Sequence, residues 1–117
     1  MTALKRGMVI DVDLNPTKGS ETGKVRPCVI VTNNVYNERV PVIQVAPTTG
    51  WSEKKGRIKT NVELTPGNEN GLSKKSVVDC LQTRPIDHRH RLVKIRGALT
   101  AEEMKRVDEA LKIIFAL

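Results

Sequence analysis

An arginine that follows a glycine- and threonine-rich stretch is the residue of this sequence best suited to chemistry. Residues 15–34 read NPTKGSETGKVRPCVIVTNN, and in them Arg26 stands between a flexible loop and the apolar run 28–31. Glycine gives the loop a permissive backbone, and the β-branched run is typical of a buried strand. The pattern therefore predicts a guanidinium at a loop-to-strand junction, where it can meet an anion.

Phosphate is the anion that such an arginine fits best, because the planar fork of a guanidinium matches phosphate oxygens. RNA carries its own nucleophile, the 2′-hydroxyl. An enzyme can therefore cleave RNA by holding that group in line with the phosphorus and by stabilising the charge on the phosphoryl oxygens. Arg26 suits the second task. A guanidinium stays protonated at neutral pH, so we favour transition-state stabilisation or acid assistance over proton abstraction.

A pair of threonines ends the next predicted strand. The apolar run 41–47 (PVIQVAP) leads directly into Thr48 and Thr49. The Thr48 hydroxyl can donate to a phosphate, and we expect it to join Arg26 at the site. On the residues alone, simpler interpretations remain: Arg26 as a salt-bridge partner of Glu21, and Thr48 as a turn cap.

Glu21 and several polar residues are further candidates for the site. Glu21 could orient Arg26 or help to move a proton, or it could equally satisfy backbone donors of its own loop. The remaining candidates could contact RNA bases and phosphates or could belong to a solvated face. They are Lys18, Ser20, Lys24, Thr49, Ser76 and Gln82. With three aromatic residues in the chain, we expect hydrogen bonding rather than base stacking to dominate recognition.

The sequence lacks the common motifs for a bound metal, a nucleotide or another cofactor, including HExxH, CxxC and a P-loop. This favours metal-free chemistry without a cofactor. His88 and His90 alternate in a basic, proline-containing stretch, a pattern typical of a solvated surface pair rather than a general base. Cys28 and Cys80 lie in apolar runs without Cys or His neighbours at metal spacing, which predicts buried free thiols.

Composition sets the class of protein. The 117 residues suit one domain, 1–117, and 20 Lys and Arg against 13 Asp and Glu leave a net charge of +7. That charge fits a polyanionic partner, although a basic protein without one can have the same balance. The sequence has no long apolar segment and no signal-peptide pattern at its start. We therefore expect a cytoplasmic protein with no part in a membrane.

The hydrophobic patterns predict short strands followed by a single terminal helix. The helix begins at Thr100, which forms a capping box with Glu103, and its apolar stripe is Met104, Val107, Leu111 and Ile114. Without βαβ alternation, this order favours a mainly β fold with α (α+β), a bent antiparallel sheet or partial barrel. The predicted strands are 6–14 (half-buried), 28–31, 41–47, 58–64 and 76–82, with a mobile loop at 51–57, a turn-rich segment at 65–72 and a loop at 83–91.

Three motifs in order make the chain similar to a known family. NPTKGSE, an RP pair four residues beyond GSE, and a TT pair after an apolar strand resemble the MazF/PemK family of toxin endoribonucleases of type II toxin–antitoxin systems. The match runs over nearly the whole chain, with departures at Met8 and Ile10, where the family commonly has an acidic and an aromatic residue. The resemblance implies a small SH3-like antiparallel barrel of about five to seven strands with a C-terminal helix. It also implies Arg26 and Thr48 as the catalytic pair.

The resemblance further implies an activity and partners. The activity is sequence-specific, metal-independent and ribosome-independent cleavage of single-stranded RNA, including mRNA, with 2′,3′-cyclic phosphate and 5′-hydroxyl ends. The partners are a second copy in a homodimer and an antitoxin whose acidic tail covers the RNA groove. The toxin–antitoxin complex is expected to bind its own operator DNA through the antitoxin. The alternative is a non-catalytic nucleic-acid-binding or gyrase-poisoning toxin on the same fold, against which the intact Arg26 and Thr48 argue.

Overall fold

Seven short strands and a terminal helix build the protein, as seen in a computed structural model that describes residues 3–117. The strands are β1 (Met8–Asp13), β2 (Val25–Ile30), β3 (Val42–Gly50), β4 (Asn61–Leu64), β5 (Ser76–Asp79), β6 (Arg84–Asp87) and β7 (Leu92–Ala98). The helices are α1 (Asn34–Asn37), α2 (Glu53–Gly56), α3 (His88–Arg91) and α4 (Ala101–Phe115), with a 3-10 turn at Cys80–Gln82.

The strands form one antiparallel sheet in the order β4-β5-β3-β2-β1-β7, with β6 paired to β3. Strand β3 changes partners along its length: residues 42–45 pair with β6, and residues 48–50 pair with β5. This change bends the sheet around its core. Within residues 3–117 the two ends, β4 and β7, do not pair with each other, so the barrel stays partly open. The predicted antiparallel α+β fold with a C-terminal helix is confirmed.

Strand β1 is buried on both faces, so the prediction of a half-buried first strand is wrong. Ile10 and Val12 pack into one core cluster, while Val9 on the opposite face belongs to a second cluster that includes Val107 of α4. Asp11, on the face predicted to be polar and exposed, is only 6% exposed. The physical reason is tertiary packing: Val9 packs into the cluster that includes Val107 of α4, and the Asp11 carboxylate lies against the guanidinium of Arg96 on β7.

Helix α4 is confirmed with its cap and its apolar stripe. The Thr100 hydroxyl accepts a bond from the Glu103 backbone N–H at 3.1 Å, and the Glu103 carboxylate accepts one from the Thr100 N–H at 2.8 Å. Val107 is fully buried, and Met104, Leu111 and Ile114 pack against the same core. The helix therefore closes the core and contributes no side chain to the groove described below.

The periodicity misplaced the shorter elements of the second half of the chain. Segment 51–57 is not a plain loop but contains α2, whose cap Ser52 accepts a bond from the Lys55 N–H at 3.1 Å. Strand β4 begins at residue 61 rather than 58. Segment 83–91 contains β6 and α3 instead of a loop, and β7 and α1 were not predicted. Strands such as β6 and β7 depend on pairing with distant strands, and a local pattern does not contain that pairing.

Cys28 and Cys80 are free and fully buried, as predicted. Burial raises the pKa of each thiol to about 12, so both are protonated at neutral pH and unreactive. Over the described residues, no helix has the length and apolar character that crossing a bilayer requires. The same residues contain no group of three His, Cys, Asp or Glu side chains arranged to hold a metal ion.

Candidate active site

Arg26 and Thr48 line the same open groove, of about 310 Å³, between β2, the end of β3 and the segment that precedes β5. The threonines lie inside β3 rather than after it, because residues 48–50 pair with β5. Of the nine candidate residues from the sequence, the groove brings together Lys24, Arg26, Thr48, Thr49 and Ser76.

The groove is strongly cationic. Its lining includes four basic residues, Lys24, Arg26, Lys74 and Arg96, and no Asp or Glu. Concave walls with charge of one sign concentrate the field, so this surface attracts an anion with several charges. A phosphodiester chain fits that description.

Arg26 is held through its Nε, and its two Nη nitrogens are open to a ligand. It is the second residue of β2, opposite Val12 of β1, and its Nε donates to the Gly23 carbonyl at 2.8 Å. Neither terminal nitrogen of Arg26 has a protein partner within residues 3–117. The Arg26 side chain thus lines the groove with the outer edge of its guanidinium open to a ligand.

Three side chains from later in the sequence, in the 3-10 turn, in β6 and in α3, hold the loop that carries Arg26. Gln82 accepts from the Thr22 N–H at 2.6 Å and donates to the Ser20 carbonyl at 3.0 Å. Arg84 donates to the Leu14 carbonyl at 3.0 Å. Arg91 donates to two further carbonyls before the loop, those of residues 13 and 15, at 2.9 and 2.6 Å. The loop is therefore held in position by tertiary contacts, although it contains glycines.

Gln82 differs in two ways from its expected role. It lies in the 3-10 turn after β5, not on the strand, and both ends of its amide are bonded to the loop backbone. With one N–H and one oxygen lone pair engaged in this way, the amide holds the loop in place.

Thr48 is buried, with 2% of its surface exposed, and its hydroxyl donates to the Pro27 carbonyl at 2.8 Å. This bond extends the β2–β3 pairing past its last backbone pair, Cys28 with Pro47. A hydroxyl has a single proton to donate, so toward a ligand the Thr48 oxygen offers lone pairs while this bond lasts. Donation to a phosphate, as expected from the sequence, requires the hydroxyl to turn away from Pro27.

Glu21 bonds its own loop in this structure. Its carboxylate accepts from the Lys18 N–H at 2.8 Å, and no ion pair joins Glu21 to Arg26 in the described part of the chain. Glu21 and Ser20 line a second, wider pocket of about 610 Å³ together with Gln82. Lys18 is exposed and lines neither cavity. These four candidates are therefore outside the groove that holds Arg26.

Sequence reasoning missed two cations and one aromatic at the groove. Lys74 lies in the segment before β5, and Arg96 lies on β7, which was not predicted at all. Trp51 directly follows the groove residue Gly50; it is 37% exposed, and the Lys75 ammonium lies 4.1 Å from the centroid of its ring. The adjacent lysines at 74 and 75 could have indicated a cationic surface from the sequence. Arg96 could not have been identified in this way, because β7 was not predicted.

Comparisons with known proteins agree along the whole chain. A family model described as PemK-like, MazF-like toxin of type II toxin–antitoxin system matches residues 5–115. Endoribonuclease EndoA of Bacillus subtilis is 39% identical over 114 residues, covering 97% of this chain and 96% of that protein.

Two solved structures share the fold. MazF from Deinococcus radiodurans matches with a TM-score of 0.84 and 21% identity over 100% of both chains. A mycobacterial endoribonuclease, solved in complex with its cognate antitoxin, matches with a TM-score of 0.78 and 23% identity. That match covers 98% of this chain and 97% of the other.

Proposed function

Because the chain belongs to the PemK-like, MazF-like toxins of type II toxin–antitoxin systems, we propose that it is a sequence-specific endoribonuclease acting on single-stranded RNA. The observation that carries the proposal is the open edge of Arg26 in a groove with four cations and no carboxylate. The substrate in the cell is mRNA, cut without the ribosome, and the consequence is growth inhibition.

The proposed reaction is a transesterification. The 2′-hydroxyl loses its proton as its oxygen bonds to the adjacent phosphorus, the P–O5′ bond breaks, and O5′ takes up a proton. The products are a 2′,3′-cyclic phosphate and a 5′-hydroxyl. Arg26 stabilises the charge on the phosphoryl oxygens with its two free nitrogens. Lys24 and Lys74 bind the phosphates of the RNA that flank the cleaved one. Because the nucleophile comes from the substrate, the proposal requires neither a metal nor another cofactor.

The deciding assay is incubation of purified protein with a long RNA in EDTA, followed by chemical analysis of the new ends. We expect discrete fragments with cyclic phosphate and 5′-hydroxyl ends. Binding of the RNA without cleavage would overturn the enzymatic proposal and favour a non-catalytic nucleic-acid-binding toxin.

Thr48→Ala is expected to lower the single-turnover rate by about 10- to 1000-fold, the range for one polar group lost at a developing charge. The mutation removes the hydroxyl and also leaves the Pro27 carbonyl without its bond. Thr48→Ser is the matched control, since it keeps the hydroxyl and should restore most of the rate. A loss confined to RNA affinity, with the rate at saturation unchanged, would make Thr48 a binding residue.

We also propose that a cognate antitoxin covers the groove with an extended acidic segment. The net charge of +7 and the four groove cations support a partner of this kind. Bound there, the segment blocks Arg26 directly.

The antitoxin is expected to associate more slowly as salt is added, because long-range attraction is screened over about 8 Å at physiological ionic strength. Stopped-flow rates between low and physiological salt measure this effect. Lys105→Ala on α4 removes a charge outside the groove and serves as the control for Lys74→Ala within it. Rates that stay flat, or a bound antitoxin that leaves RNA access to Arg26 intact, would point to inhibition at another surface.

Two assembly properties complete the proposal. We propose that the toxin is a homodimer, and large apolar side chains such as Leu81, Val93 and Phe115 remain exposed on the single chain. We propose also that the toxin–antitoxin complex binds its operator DNA through the antitoxin. Sedimentation of the toxin alone measures the first property, and DNA binding with and without the antitoxin measures the second.

A further inference from the structure

A β-bulge places Arg96 at the groove. On β7, Gly97 pairs with Val9 and Ile95 pairs with Ile10, so Arg96 between them has no partner residue on β1. A bulge of this kind changes the direction of a side chain, and such bulges are common beside active sites. The Arg96 side chain lines the groove that contains Arg26.

Two bonds fix the Arg96 guanidinium. Its Nε donates to the Asp11 carboxylate at 2.6 Å, and its Nη1 donates to the Gly71 carbonyl at 2.8 Å. Asp11 is 6% exposed, so a buried carboxylate lies against this cation and offsets its charge. In the described residues, Nη2 has no protein partner.

The backbone around Arg96 is also closely packed. Gly71 has φ +67°, and a Cβ there would collide with the Arg96 carbonyl oxygen. A Cβ at Gly97 would collide with the Glu69 carbonyl oxygen, which accepts a bond from the Ala98 N–H at 2.8 Å. The segment that leads to the groove wall therefore lies directly against β7. The free nitrogen of Arg96 is consequently presented in a fixed direction.

We propose that Arg96 is a specificity-determining residue that reads one base of the RNA beside the cleaved phosphate, with Nη2 donating to an acceptor on the base edge. This inference rests on the proposed function. Asp11 offsets the charge of Arg96, so this side chain is a weaker phosphate clamp than Arg26, which has no carboxylate partner. A rigid, directional donor with little net charge suits a base edge, because base contacts specify sequence whereas phosphate contacts position the chain.

The test is Arg96→Lys, which keeps a cation for Asp11 but has no second nitrogen for the groove. Fragments of a long RNA library are mapped by their 5′-hydroxyl ends, and kcat/KM is measured on the preferred site and on a site with one flanking base changed. We expect the mutation to flatten the preference at one position by about 5- to 150-fold. Arg106→Lys, the same exchange on exposed α4, is the control and should leave the preference intact.

Binding to RNA with a 2′-deoxy nucleotide at the cut separates the alternatives. Trp51, the single tryptophan, directly follows the groove residue Gly50, and its fluorescence is the signal to be followed. The salt dependence of the affinity is expected to stay unchanged in Arg96→Lys, whereas Lys74→Ala should lower its slope by about 0.7. Equal weakening for all sequences with a lowered slope would make Arg96 a phosphate contact. A lower melting temperature without any change in preference would make it a structural residue.

A second variant keeps the proposal testable where Arg96→Lys fails to fold. Asp11→Asn combined with Arg96→Gln replaces the ion pair by an uncharged hydrogen-bonding pair. The same flattening of the preference is expected, and an unchanged preference in this folded variant would overturn the proposal. If the wild-type protein binds RNA without cutting it, the proposed function fails, but the base preference of binding still tests Arg96.

Discussion

Replacement of Arg26 by alanine is expected to lower single-turnover cleavage of RNA by about a thousandfold or more, the effect that an arginine on a transferring phosphoryl group has in other enzymes. The two terminal nitrogens of Arg26 have no protein partner in the described chain, so their contribution is realised only when charge develops on the substrate. The measurement is the rate with excess enzyme on a short RNA that contains one site.

The fold should survive this substitution. Within residues 3–117, the one hydrogen bond that the Arg26 side chain makes is from Nε to the Gly23 carbonyl. That carbonyl lies in a half-buried loop, where water can replace the donor. Circular dichroism and the melting temperature of Arg26→Ala test whether the fold is retained. Arg26→Lys retains the charge without the planar fork and should recover only a small part of the rate. Lys105→Ala controls for the loss of one positive charge. Near-normal cleavage by folded Arg26→Ala would refute the assignment of Arg26.

A substrate with a single 2′-deoxy nucleotide at the cut is expected to resist cleavage completely at that position. The proposed nucleophile is the ribose 2′-hydroxyl, so the 2′-deoxy substrate has no group at the cut that can attack the phosphorus. For the same reason, EDTA should leave cleavage of the all-ribose substrate unchanged. Gel analysis of both substrates side by side measures these outcomes.

The control substrate carries the 2′-deoxy nucleotide one position downstream, where the missing hydroxyl is not the nucleophile. It should be cut at nearly the normal rate. Continued cleavage of the first substrate would assign the attack to water and place the protein in a different reaction class. Loss of cleavage in EDTA, restored by a divalent cation, would contradict metal independence.

Much of the fold and part of the site are contained in local sequence patterns. The apolar run before Val31, the capping box at Thr100 and the buried thiols follow from residue type and spacing, and the structure agrees with each. Arg26 was singled out because the glycine-rich loop, the proline and the following strand are neighbours in sequence. The antiparallel partial barrel followed from short strands without βαβ alternation.

The supporting contacts of the groove were decided by tertiary structure alone. Gln82 holds the arginine loop across 60 residues of sequence, and Arg96 meets Asp11 across 85. Both contacts depend on strand order, the second also on the bulge in β7, and neither leaves a signal in the local pattern. Thr48 was recognised from sequence, but its bond to the Pro27 carbonyl exists only because β2 and β3 are paired. The sequence by itself thus determined which arginine lies between a glycine-rich loop and a buried strand, while the pairing of distant strands decided which side chains hold and surround it.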